Sequence, residues 1–161
     1  MAELDKLAIR GVRSFGPRDV NIIQFFKPLT VIVGHNGSGK TTIVECLKYA
    51  ATGDLPPHTK GGGFLHDPNM AGTDTVKAQV RLRFRNTHGV RMNCVRNLQV
   101  SKKKGGGLSM KTLEGVLGID DEEAEPHARN SISTRCAELD TEMASLLGCL
   151  LYTSPSPRDR T

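Results

Sequence analysis

Between Gly34 and Thr41 the chain reads Gly-His-Asn-Gly-Ser-Gly-Lys-Thr, the spacing of a phosphate-binding P-loop. This motif restricts the fold because it works only between a strand and a helix. The flanking residues supply both. Leu29, Thr30, Val31, Ile32 and Val33 form a continuous apolar, β-branched run, which predicts a strand buried on both faces. After the loop, Ile43, Val44, Leu47, Ala50 and Ala51 recur at helical spacing, and Gly53 stands where such a helix would stop. Glycines at 34, 37 and 39 permit the turn conformations that aim successive backbone N–H groups at phosphate oxygens. The helix adds the positive end of its dipole. Lys40 is placed to reach the β- and γ-phosphates, and the Thr41 hydroxyl to ligate Mg²⁺.

The rest of the chain frames this unit. Residues 4–12 and 21–26 read as strands, with Ser14, Gly16 and Pro17 breaking the first and Pro28 stopping the second. Residues 55–75, rich in Pro, Gly, His and Asp, read as an irregular loop. Val76, Ala78, Val80, Leu82 and Phe84 then alternate with Lys77, Gln79, Arg81, Arg83 and Arg85, predicting an antiparallel strand with one apolar and one basic face. A turn at 86–89 leads into a returning strand, and 102–107 reads as an exposed hairpin tip. Residues 120–130 are acidic and poor in apolar residues. A last helix is expected over 133–147, with Cys136, Leu139, Met143, Leu146 and Leu147 on one side and Gly148 as its stop. The fold class is therefore α/β: a mixed sheet holding the strand before the P-loop, an antiparallel β-section and two principal helices.

Charge and cysteine usage narrow the partners. The net charge of +5 is unevenly spread. No Asp or Glu occurs from 75 to 113, where ten Lys and Arg residues fall, a pattern suited either to a solvated sheet face or to DNA phosphates bound without base readout. The four cysteines have neither the pairing nor the His spacing of a zinc site, so buried free thiols are expected. No apolar run approaches membrane-spanning length, and no membrane partner is expected; the reading is a soluble intracellular protein. Residues 149–161 lose all periodicity and read as an unrelated or disordered tail, so the domain is assigned to 1–148.

The residues around the loop carry a family resemblance. Residues 7–16 (Leu-Ala-Ile-Arg-Gly-Val-Arg-Ser-Phe-Gly) and 28–42, together with Glu45, Cys46, Leu47, Lys48 and Tyr49, are similar to the opening of the SMC-like ATPases. Thr52, Gly53 and Asp54, Pro56 and Pro57, Thr59, Lys60 and Gly61, and His66, Asp67 and Pro68 extend the match. So do residues 81–85, 111–116 and 136–140, and together they narrow it to the ABC-type ATPases of DNA double-strand-break repair. Position 35 is His where relatives usually carry Pro, a change at the loop tip.

The resemblance implies the N-terminal half of an ABC/SMC-type head that binds ATP and Mg²⁺ and acts in the nucleus. It also implies four partners: DNA, a repair nuclease, a second copy of the head and the C-terminal half-head of the same protein. Carried onto matching positions, Arg13 approaches the nucleotide, and Asn36, Gly37, Ser38, Gly39, Lys40, Thr41 and Thr42 form the phosphate cradle. Leu65 and Asp67 line the site. The glutamine loop, signature helix and Walker B carboxylates of such a head are expected later in a complete chain, as are its coiled coil and zinc-binding apex. No catalytic residue is therefore assigned here, and the fragment alone is expected to be inactive. The run 116–122 (Val-Leu-Gly-Ile-Asp-Asp-Glu) imitates a Walker B strand, but its internal Gly predicts a loop. Two other readings stay open: a self-contained P-loop NTPase or kinase using Asp120 and Asp121, and a non-catalytic nucleic-acid-binding module.

Overall fold

The structure, a computed structural model, describes residues 1–59, 61–120, 131–133 and 136–148. Its centre is the alternating segment singled out above, which forms β3 (Thr75–Arg85) and buries every second residue from Val76 to Phe84. Across from it runs β4 (Arg91–Lys102), paired antiparallel in unbroken register from Thr75↔Ser101 to Arg85↔Arg91. The pair is long because apolar residues face each other on one side: Val76 opposite Val100, Ala78 opposite Leu98, Leu82 opposite Cys94, Phe84 opposite Met92. Each such buried side chain contributes roughly 1.5–3 kcal/mol.

The first strand, β1 (Glu3–Arg10), lies on the other side of β3, with β2 (Asn21–Gln24) at the edge beyond it. The far end of β4 pairs with β5 (Leu108–Thr112) through the 102–107 tip, and its near end pairs with β6 (Val116–Ile119). A short β7 (Ser131–Ser133) borders β6. Every described pairing is antiparallel. The run 116–119 is thus a strand, not the expected loop: Gly118 opposite Asn93 leaves the ladder intact.

Two helices cover the apolar face. The first, α1 (Lys40–Thr52), begins at Gly39 and ends at Gly53, whose N–H bonds the Tyr49 carbonyl. A single turn, α2 (Pro68–Ala71), interrupts the loop expected over 55–75. The last helix, α3 (Cys136–Leu147), starts three residues later than the spacing predicts. Leu139, Met143 and Leu147 of α3 join Cys46, Tyr49 and Ala50 of α1, Leu7 and Ile9 of β1, and Phe64 in one core.

One expectation fails in an informative way. Residues 29–33 form no strand and pair with no described strand. Leu29, Val31 and Val33 are 74%, 70% and 86% exposed, with Phe26 and Val44 also open. A strand of that composition is stable only between two partners and under two layers, because its own backbone and side chains make no local alternative. Neither partner is present among the described residues, so the mixed sheet is reduced to its antiparallel part. The segments 121–130 and 149–161, with their acidic and tail assignments, lie outside the described residues.

Candidate functional site

The glycine loop keeps its shape without the strand. Gly37 and Gly39 adopt φ of 82° and 101°, the left-handed region that glycine enters without steric cost. At Gly39 a Cβ would also press to 3.2 Å from the Phe15 ring, so the residue combines a turn with a close approach. The Ser38 hydroxyl and N–H both donate to the His35 carbonyl, at 2.6 and 3.1 Å, closing the tip of the loop. The Lys40 ammonium donates back to the Gly34 carbonyl.

α1 then starts abruptly. The Ile43 N–H makes the first helical bond, to Gly39. No side chain caps the helix, so the N–H groups ahead of Ile43 point out of its N-terminus with the positive end of the dipole behind them. Arg13, Ser14, Asn36, Gly37, Gly39, Lys40, Thr41 and Thr42 line one open cleft of about 430 Å³. Its charged groups are Arg13 and Lys40, both cationic. Such a set suits a polyphosphate, and the exposed Thr41 hydroxyl at the helix start suits a Mg²⁺ ion bound with it. No cluster of three or more His, Cys, Asp or Glu side chains able to hold a metal occurs among the described residues.

Arg13 reaches this cleft from a strained hairpin. Its φ is 47°, rare for a side chain other than glycine. The backbone is held there from both sides: its N–H donates to the Phe64 carbonyl at 3.1 Å, and His66 Nδ1 lies 2.6 Å from its carbonyl oxygen. The guanidinium lies against the Phe64 ring, 5.9 Å from its centroid, and faces Glu45 of α1. Phe64 is braced in turn by the edge of Tyr49.

Leu65 and Asp67, which the resemblance places at the nucleotide, are not among the residues that line this open cleft. Leu65 is 4% exposed and bridges Val12, and its apolar neighbours hold it in the core. The Asp67 carboxylate accepts the Asn69 N–H at 2.9 Å and caps α2, as a residue before Pro68 at a helix start commonly does. Ser38 shapes the loop but is not among the residues that face the cleft. The Walker B imitation is also resolved. Asp120 meets Arg83 Nε at 2.5 Å and borders a different concavity, with Lys6, Gln79 and Arg81. Asp121 lies outside the described residues.

Sequence reasoning gave no site role to Glu45, Phe64, His66 or Arg96. An arginine at an inward position of the alternating strand β4 was the available signal for Arg96.

With this geometry in place, comparison with known proteins gives a consistent answer. The AAA domain family matches residues 6–143, most of the chain. The chain belongs to that family. Over 148 residues, 92% of its length, it is 55% identical to the DNA repair protein rad50 of Schizosaccharomyces pombe. It is 49% identical over 148 residues to the DNA repair protein RAD50 of Saccharomyces cerevisiae. A shorter match, 38% over 76 residues, covers 47% of the chain and 6% of the chromosome partition protein Smc of Halothermothrix orenii. The chain spans about a tenth of the length of the Rad50 relatives, 11% in both. The family assignment agrees with the P-loop NTPase character of the fold and explains why a strand, a glycine loop and a helix stand together in the sequence. No described helix is long and apolar enough to cross a membrane.

Proposed function

We propose that this chain is the phosphate-gripping N-terminal half of an ATPase head acting in DNA double-strand-break repair, with residues 1–148 as the domain. The observation that carries the reading is a conjunction. Lys40, Thr41, Arg13 and the uncapped start of α1 converge on one cleft, while the apolar run beside it lies exposed without a strand partner. A C-terminal half-head would supply the missing strands and cover Leu29, Val31 and Val33.

In this reading the loop N–H groups and Lys40 hold the ATP phosphates, and Arg13 contacts them from the opposite wall. Thr41 holds Mg²⁺, which when bound offsets the negative charge of the triphosphate. Hydrolysis also needs a carboxylate to order water and metal, and no Asp or Glu lines the cleft. The carboxylates and the signature helix come from the C-terminal half and from a second head, so that ATP closes the pair and controls DNA binding and a partner nuclease. The relatives' printed names support a role in DNA repair and hence a nuclear location.

The test is nucleotide affinity and phosphate release, for this chain alone and co-expressed with a C-terminal half-head. Binding should be weak and turnover absent alone, and both should appear in the complex. Lys40→Ala should weaken triphosphate binding about 10- to 100-fold, the value of a charged hydrogen bond. Robust turnover by the chain alone, abolished by Lys40→Ala, would overturn the half-head reading.

A further inference from the structure

The geometry points to Glu45 as the residue that positions Arg13 for the phosphates, an inference that rests on the proposed nucleotide site. Glu45 sits on α1, one and a half turns past Lys40, and is separated from Arg13 by 32 positions in the chain. Its Oε1 accepts from Arg13 Nη2 at 3.3 Å, and its Oε2 lies 2.9 Å from Nη1. The two side chains are 22% and 33% exposed, so the pair is partly shielded from water.

One hydrogen bond and one close ion contact from the same carboxylate restrict the guanidinium more than either does alone. The Phe64 ring closes a second side, and the pinned backbone at φ 47° closes the base of the side chain. Arg13 carries five N–H donors, and Glu45 accepts a hydrogen bond from one of them. The rest remain for the cleft that Arg13 shares with Lys40 and Thr41. An arginine held this way has lost its rotamer freedom before a phosphate arrives, so binding does not bear that ordering cost.

The arrangement gives α1 a double role. Its first turn offers N–H groups and Lys40 directly, and its second turn aims the cation that reaches in from the first hairpin. Glu45 itself does not touch the ligand in this account. It acts through Arg13, and its like charge is kept off the phosphates by being spent on the guanidinium.

The experiment is a double-mutant cycle on the complete, full-length ATPase, using titration with a fluorescent ATP analogue in the presence of Mg²⁺. Glu45→Gln, which keeps size and hydrogen-bonding reach, should weaken binding about 3- to 10-fold, the discounted value of a half-exposed ion pair. In an Arg13→Ala background the same change should have no further effect, and Glu45→Asp should restore part of the loss. Thermal melting of each variant separates this from a fold defect, which would weaken binding equally in both backgrounds. Equal losses in the two backgrounds, or unchanged or tighter binding in Glu45→Gln alone, overturn the positioning role. An Arg13→Ala variant that binds like the wild type would instead refute the placement of Arg13 at the nucleotide, leaving Lys40→Ala to judge the site itself.

Discussion

Arg96 is the most buried cation in the described structure, 4% exposed, and its removal tests how the P-loop helix is fastened to the fold. Its Nε donates to the Ala50 carbonyl at 2.9 Å. That carbonyl lies in the last turn of α1, where no further helical N–H is available, and the negative end of the dipole favours a cation there. Its Nη1 meets Asp140 Oδ1 of α3 at 2.5 Å, and its guanidinium lies 5.5 Å from the Tyr49 centroid. One side chain of β4 therefore ties both covering helices to the sheet.

In Arg96→Met the aliphatic volume stays but the buried Ala50 carbonyl keeps only the weak Cys94 thiol donor at 3.8 Å, at a cost of about 1–2 kcal/mol. The lost cation–π contact adds about 0.5–2 kcal/mol. Asp140 is 40% exposed and can rehydrate, so its share is small, about 0.5 kcal/mol. The expected loss is about 3 kcal/mol, a fall in Tm of roughly 6–12 °C for a chain of this size. Asp140→Ala should cost a comparable amount, about 3 kcal/mol, because it leaves the buried Arg96 guanidinium without its counter-charge. Urea and thermal melts of the two single variants and the double variant measure all three quantities. A cost of under about 1 kcal/mol for Arg96→Met would refute the claim that Arg96 fastens α1 and α3 to the sheet.

Three further outcomes follow from the geometry. Burial, aided for Cys46 by the Glu45 carboxylate, pushes the Cys46 thiol up to about 12, and burial pushes Cys94 up to about 11 and Tyr49 up to about 12. Their folded values exceed the unfolded ones, so the stability they contribute is complete below about pH 9 and is lost as pH rises from there toward 12; urea melts at pH 8 and pH 10.5 should show the fall. The same thiols should resist a thiol reagent at pH 8 until the chain is unfolded, and rapid labelling of native Cys46 would contradict its 0% exposure. On the outer face of β3, Arg83 is engaged by Asp5 and Asp120, whereas Arg81 is exposed. If this face binds DNA, Arg81→Gln should therefore flatten the salt dependence of affinity more than Arg83→Gln, read from binding at several salt concentrations.

What could be read along the chain and what could not divide by the range of the interactions involved. The P-loop turn and the stop of α1 at Gly53 follow from backbone conformations that neighbouring residues set by themselves, so spacing alone located them. The faces of β3 were equally legible, because strict alternation forces one side of a strand inward wherever its partner lies. The strand expected at 29–33 was judged by the same local rule and failed. Its composition specifies a position between two other strands, and a strand has no internal hydrogen bonds to hold it when they are missing.

The assembly of the cleft belongs to the tertiary structure alone. Nothing in the sequence joins Arg13 to Glu45, or Arg96 to Ala50 and Asp140. Those pairs exist because β1, α1, β4 and α3 pack on one core, and packing brings together groups that are dozens of residues apart. Leu65 is packed in the apolar core, and the Asp67 carboxylate accepts the open N–H of a helix start. Composition and spacing determine which residues are able to bind a phosphate. Only the fold decides which of them face it, because burial and backbone capping compete for the same side chains.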